Sequence, residues 1–175
     1  MARLSPSSIR TCEARDFDDL LRIINDGAQA YRGAIPKDCW RAPYMAASEL
    51  RRELLAGVDF RVYQSGGEVV GVMGVQDVKD VTLIRHAYVI QERQRQRIGS
   101  LLLGELLERA SRPVLVGTWA DASWAIRFYE KNGFTLVSPA AKDRLLASYW
   151  TVPRRQAEVS VVLADGAALK ALSID

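Results

Sequence analysis

Histidine is nearly absent: His86 is the only one among 175 residues. A multi-histidine metal site is therefore excluded, no metal is expected, and any Ser-His-Asp triad would have to be built around His86. The two cysteines, Cys12 and Cys39, lie far apart, with no Cys-x-x-Cys and no cluster. Neither a disulfide framework nor a zinc site is expected, and both are read as reduced thiols. No apolar run approaches the length of a membrane span, and residues 1–11 lack the continuous apolar stretch of a signal peptide. A cytoplasmic chain with no membrane partner is the expectation. The motifs Gly-x-x-x-x-Gly-Lys-Ser/Thr, Gly-x-Gly-x-x-Gly and Gly-x-Ser-x-Gly are all missing, which removes the commonest nucleotide-binding and serine-hydrolase readings. Repeats, glycine- or serine-rich linkers and low-complexity tracts are missing too.

An excess of one charge is also lacking. The formal net charge is +3, which suits a small polyanionic ligand and is weak for a general nucleic-acid binder. Hydrophobic residues at 49% and charged residues at 26% are ordinary for a globular protein and argue against long disorder. One domain spanning 1–175 is expected, burying about 70% of the surface its unfolded chain would expose.

Ile9 to Cys12 reads as a first strand. Asp16 can cap a helix in which Phe17, Leu20, Leu21, Ile24, Ala28 and Tyr31 recur at helical spacing. Ala34 to Met45 contains two prolines, Trp40 and Tyr44 without a period, and reads as a loop. Ser48 to Gly57 looks helical. Val58 to Tyr63 alternates, Gly66-Gly67 supplies a tight hairpin, and Glu68 to Gln76 returns. After a turn at Asp77 to Asp80, Val81 to Ile90 is apolar on both faces, as a central strand would be. A helix with Leu102, Leu103, Leu106, Leu107 and Ala110 begins near Ile98, and Val114 to Thr118 is a short buried parallel strand reached by a right-handed crossover. Asp121 or Ser123 can cap the next helix, which closes at Asn132-Gly133. A brief strand from Phe134 to Val137, a helix from Lys142 to Tyr149 and a strand from Ala157 to Ala164 complete the reading.

The informative stretch is Val81 to Ala110: strand, polar turn, helix. Arg93, Arg95 and Arg97 sit in the turn beside the unpaired N–H groups that a helix presents at its first turn, a setting that attracts phosphate. Gln94-Arg-Gln-Arg-Ile-Gly99-Ser100 after a strand ending in Tyr88-Val89 resembles the acyl-CoA pyrophosphate loop of the GNAT superfamily of N-acetyltransferases, Gln/Arg-x-x-Gly-x-Gly/Ala. Arg97 stands where the first glycine is usual. Asp121-Ala-Ser-Trp-Ala-Ile-Arg-Phe-Tyr-Glu-Lys-Asn-Gly-Phe134 looks like the family's later helix. The resemblance covers Ile9 to about Ala164.

That resemblance implies an α/β, or α+β, fold: a mixed, mostly antiparallel twisted sheet with a central splayed parallel strand pair and helices on both faces. It implies acetyl-CoA as donor cosubstrate and direct acetyl transfer to a primary amine, with a homodimer as one state open to the chain. It places acyl-CoA against Tyr88, Val89, Gln94, Arg95, Gln96, Arg97, Ile98, Gly99, Ser100, Ser123 and Phe128. The backbone N–H of Val89 is implied to meet the thioester carbonyl, and the Tyr129 hydroxyl to protonate the departing sulfur; packing of Tyr129 with Ala125 and Phe128 on one helix face is the alternative. Arg97 fits the cradle if it keeps negative φ, whereas positive φ would distort it. No carboxylate lies between Val81 and Ile90, so His86 is the one side chain on that strand with a suitable pKa for a base. A hydrogen-bonded core histidine, a water-mediated route and Asp38 stay open beside it. Ala122 replaces an asparagine that often contacts the pantetheine arm; Trp119 could line the tunnel or pack in the core. Rival readings are a non-catalytic acyl-CoA-binding regulatory domain and, further off, a nucleic-acid binder using the arginine turn.

Overall fold

The computed structural model describes residues 7–174. Seven strands form a sheet in the order β1-β2-β3-β4-β5-β7-β6, mostly antiparallel with β4 and β5 parallel. The chain divides into two compact units: Met1–Ala30, Arg41–Gln76 and Arg85–Arg109 make one, and Tyr31–Trp40, Asp77–Ile84 and Ala110–Asp175 the other.

The first unit holds β1 (Ser8–Thr11), α1 (Phe17–Gly27), α2 (Ala47–Leu55), β2 (Asp59–Ser65), most of β3 (Glu68–Val78), the end of β4 (Val81–Val89) and α3 (Ile98–Arg109). β2 and β3 form the expected hairpin, turned by Gly66 and Gly67 at φ +62° and +90°, the left-handed pair that a two-residue hairpin needs. Leu20, Ile23 and Ile24 of α1 are buried against Phe60, Val62 and Val72. The opposite face of β3 is met by α3 so closely that a Cβ on Gly71 would lie 2.8 Å from Ile98 Cγ2. Helices thus cover both faces here, because side chains alternate along a strand.

Asp16 does not cap α1 with its side chain. Its carboxylate accepts from the Arg10 guanidinium at 2.7 and 2.9 Å and from the Glu13 N–H at 2.7 Å, closing a short 3-10 turn instead. Ile23 and Gly27 join the core of α1, while Phe17, Leu21 and Tyr31 are only half-buried.

The second unit holds the start of β4, β5 (Val114–Trp119), α4 (Ser123–Lys131), β6 (Thr135–Leu136), α5 (Pro139–Tyr149), α6 (Arg154–Glu158), β7 (Ser160–Ala164) and α7 (Gly166–Ala171). β4 pairs with β5 in parallel at Thr82↔Val114, Leu83↔Leu115 and Ile84↔Val116, and β7 runs antiparallel to β5. Val81, Leu83, Leu115, Val162 and Ala164 share a core with Leu145 and Leu146 of α5. Neither Asp121 nor Ser123 caps α4; Ala122 occupies the cap position without a side-chain bond. The helix does close at Asn132 and Gly133, the latter at φ +89°. Ser138 caps α5 with Pro139 in its first turn, so this helix starts before the expected Lys142. The expected strand from Ala157 is shortened, because Arg154–Glu158 forms a helical turn and pairing with β5 begins at Ser160.

Candidate active site

The turn between β4 and α3 combines left-handed residues with backbone donors unpaired among the described residues. Arg95 and Arg97 adopt φ +63° and +65°, a conformation that costs a side-chain-bearing residue about 1–2 kcal/mol. Of the two options for Arg97, the structure takes the positive one, and Arg95 shares it. Two left-handed residues this close together break any regular hydrogen-bonding pattern in the turn. Among the described residues, the N–H groups of residues 95–100 find no acceptor, and the first backbone bond into the helix is Leu101 N–H to Arg97 O at 3.0 Å. Positive φ has therefore not cost the loop its donors. The twelve-residue α3 adds the positive end of its dipole. Arg93, Arg95 and Arg97 are exposed, and their guanidiniums have no partner among the described residues. Gln94 braces the loop, its side-chain amide donating to Val89 O at 3.2 Å. Ile98 is buried, and Gly99 and Ser100 are half-buried in the first turn. This donor set fits a diphosphate.

Tyr88 and Val89 end β4 in the same unit, half-buried. The Tyr88 ring meets Tyr44 edge-on at 6.1 Å, and α1 approaches so tightly that a Cβ on Gly27 would lie 2.9 Å from Tyr88 Cβ and 3.1 Å from Val89 O. His86 is half-buried at φ +48°. Its Nε2 is hydrogen-bonded to Glu53 Oε2 of α2, and its ring stacks on Phe60 at 6.1 Å. Glu53 Oε1 accepts from Arg85 at 3.3 Å, and Arg85 also donates to Gln76 at 2.7 Å. Burial pushes the Glu53 carboxyl up, but the His86 hydrogen bond and the charges of His86, Arg85 and Arg41 outweigh it and hold it below the usual range. Sequence reasoning missed Glu53: it is one acid on an amphipathic helix, 33 residues before His86, and nothing local couples the two.

Ser123, Phe128 and Tyr129 belong to the other unit. Tyr129 is 5% exposed, with Phe128 and Phe134 edge-on at 5.0 and 5.7 Å. Its hydroxyl makes no hydrogen bond among the described residues, yet it is not one of their fully buried unbonded polar atoms, so it keeps accessible surface. Burial, with a smaller contribution from Tyr31, pushes this phenol far above the usual tyrosine range. Packing and an available hydroxyl coexist in the residue. Phe128 is half-buried and Ser123 exposed, its hydroxyl accepting from Arg127 at 3.5 Å. Trp119 and Ala122 are buried, Ala122 completely. Asp38 is engaged elsewhere, accepting from Arg155 at 2.7 Å, and that bond holds its carboxyl below the usual range.

No group of histidine, cysteine, aspartate and glutamate among the described residues could hold a metal ion. No helix among them is long and apolar enough to cross a membrane.

Residues 56–136 match the family model described as an acetyltransferase (GNAT) domain. No curated protein matches the sequence significantly. Solved structures do match. The PaiA N-acetyltransferase of Thermoplasma acidophilum, in complex with coenzyme A, is 16% identical with a TM-score of 0.68, covering 92% of this chain and 99% of its own. The ribosomal-protein-S18-alanine N-acetyltransferase of Escherichia coli is 17% identical with a TM-score of 0.64, covering 91% and 93%. Ard1 of Thermoplasma volcanium is 22% identical with a TM-score of 0.61, covering 91% and 97%. At these identities the likeness shows a shared fold, and the sequence match to the GNAT acetyltransferase domain is confined to residues 56–136.

Proposed function

We propose that the protein transfers the acetyl group of acetyl-CoA directly to a primary amine. The observation that carries this reading is the run of N–H groups over residues 95–100 at the opening of α3 that find no acceptor among the described residues, with three exposed arginines in the same turn. Gln94, Arg95, Gln96, Arg97, Ile98, Gly99 and Ser100 would hold the diphosphate, with Tyr88, Ser123 and Phe128 along the rest of the cosubstrate. The complex of the T. acidophilum relative with coenzyme A supports the same ligand class.

In the reaction the amine nitrogen bonds to the acetyl carbon, the carbon–sulfur bond breaks, and the amine proton leaves to a base. The Val89 N–H is the donor for the carbonyl oxygen as charge develops there. Tyr129 gives its proton to the departing sulfur. Its raised pKa keeps the phenol protonated at every physiological pH. The same burial makes the phenol a weaker acid, so proton transfer is favoured only as the carbon–sulfur bond breaks and charge builds on an equally desolvated sulfur. Direct transfer agrees with the state of Cys12: burial first, then the Asp16 charge, pushes its thiol up to about 11, so it is a poor nucleophile.

Following thiol release from acetyl-CoA across a panel of amines tests the proposal. Wild type should turn over with at least one amine, and Tyr129→Phe should lower kcat about 10- to 10⁴-fold at near-constant CoA affinity. An unchanged kcat would remove Tyr129 from the chemistry. CoA binding without thiol release for any amine would instead favour an acyl-CoA-binding regulatory domain, the reading that the buried Ala122 and the carboxylate-free β4 support.

A further inference from the structure

Acetyl transfer leaves one proton unaccounted for, the one on the attacking amine. Resting on the acetyl-transfer reading, we infer that Glu53 fixes the tautomer of His86, leaving His86 Nδ1 as the lone pair that takes this proton, directly or through water.

The geometry dictates the tautomer. Glu53 offers one carboxylate oxygen to Arg85 and the other to His86 Nε2. A carboxylate flanked by a guanidinium is ionised and can only accept, so the neutral imidazole must carry its hydrogen on Nε2. Nδ1 is then the basic nitrogen. It makes no hydrogen bond among the described residues and is not one of their fully buried unbonded polar atoms, so it reaches accessible surface. Phe60 stacks on the ring and holds its plane, while Gln76 anchors Arg85 from β3. The groups facing the pair are thus Arg85 and Gln76, with Arg41 adding charge at Glu53.

His86 lies three residues before Val89 on the same strand, about 10 Å along it. The positive φ at His86 breaks the strict side-to-side alternation there. A histidine that served only as core filler would need no half-buried acid beside it and no left-handed backbone. Glu53 is accordingly a positioning residue, and His86 the base.

Because His86 is the sole histidine, ¹⁵N NMR of histidine-labelled protein reads its ring directly. The expected result is an Nε2–H tautomer for the neutral ring in wild type. In Glu53→Gln the amide can donate to Nε2, so the hydrogen should move to Nδ1. With an amine that the panel shows to be turned over, kcat should fall about 100-fold in that variant while CoA affinity stays within about twofold. Glu53→Asp, which keeps a carboxylate, should retain the Nε2–H tautomer and recover part of the rate. An Nδ1–H tautomer in wild type, or a Glu53→Gln variant with wild-type kcat, overturns the inference. If Glu53→Gln does not fold, the wild-type tautomer and the Glu53→Asp rate decide it. A wild type that acetylates no amine would overturn the transfer reading itself, a failure separable from loss in the variant alone.

Discussion

At the scale of single residues, Asp16 shows how much one buried charge can contribute. Arg10 first, then the Glu13 N–H and the Arg10 and Arg15 charges, overcome burial and hold its carboxyl at about 2, against about 3.9 in an unfolded chain. A depressed folded pKa stabilises above the unfolded value, and that contribution is lost as pH falls through the folded one. Asp16→Asn should therefore cost roughly 2 kcal/mol at pH 7, with the gap to wild type closing as the pH is lowered from about 4 toward 2. Urea denaturation of both proteins across that range checks it; a gap independent of pH would rule out the carboxylate as its source. Arg97 poses the opposite case. Replacing it with glycine removes the left-handed penalty and should stabilise the protein by about 1 kcal/mol, raising Tm by roughly 2–4 °C. The same change removes a guanidinium from the cradle, so CoA affinity should fall, by about tenfold at low salt. Melting with and without CoA reads both effects; loss of stability would mean that the side chain supports the fold rather than the ligand.

At the scale of elements, two helical glycines that look alike in the sequence should respond with opposite sign. Gly104 in α3 has nothing within 4 Å of a Cβ position, so Gly104→Ala should gain about 1 kcal/mol from helix propensity alone. Gly27 ends α1 against Tyr88 Cβ, which is fixed to its backbone, and the Val89 carbonyl, neither of which can swing aside as the far end of a flexible side chain would. Gly27→Ala should lose roughly 1–2 kcal/mol net of propensity. It should also reduce kcat more than the loss of folded protein explains, because it presses on the Val89 peptide. Chemical denaturation and turnover of both variants test the contrast. Such contacts mark where sequence reading stops. The Gly66-Gly67 hairpin, the Asn132-Gly133 stop, the β4–α3 break and the parallel β5 were legible because turn chemistry and periodicity are local. The Asp16 cap was misread because its carboxylate is taken by Arg10, on a strand the local pattern does not connect to it. The α6 turn was misread because Ala157-Glu158-Val159 alternates like a strand while Pro153 and the Arg154–Glu158 pair favour a helix. The loop at residues 94–100 stands out through its resemblance to a family motif; Glu53 does not, since only the packing of α2 on β4 brings it to His86.

At the scale of the whole molecule, the charge balance discriminates among the readings. A formal charge of +3 spread over the chain would give little long-range field, yet Arg93, Arg95 and Arg97 concentrate positive charge beside six N–H groups that find no acceptor among the described residues. A compact polyanion can use the guanidiniums and the backbone donors together, whereas a nucleic-acid strand tracking the surface would find charge but few base-reading or stacking groups there. Mass action turns this difference into a measurement. CoA at a hundredfold excess over its dissociation constant should stabilise the fold by about 2.7 kcal/mol, a rise in Tm of roughly 5–10 °C for a chain of this size. That rise should survive near-physiological salt, because the backbone donors bind independently of a displaced counterion atmosphere. An oligonucleotide held only by the arginine turn should give a shift that collapses between about 50 and 200 mM salt, as counterion release requires. Differential scanning fluorimetry at both salt concentrations, with each ligand in turn, separates them. Indifference to CoA at low salt would remove the cradle, and with it the acetyl-transfer reading.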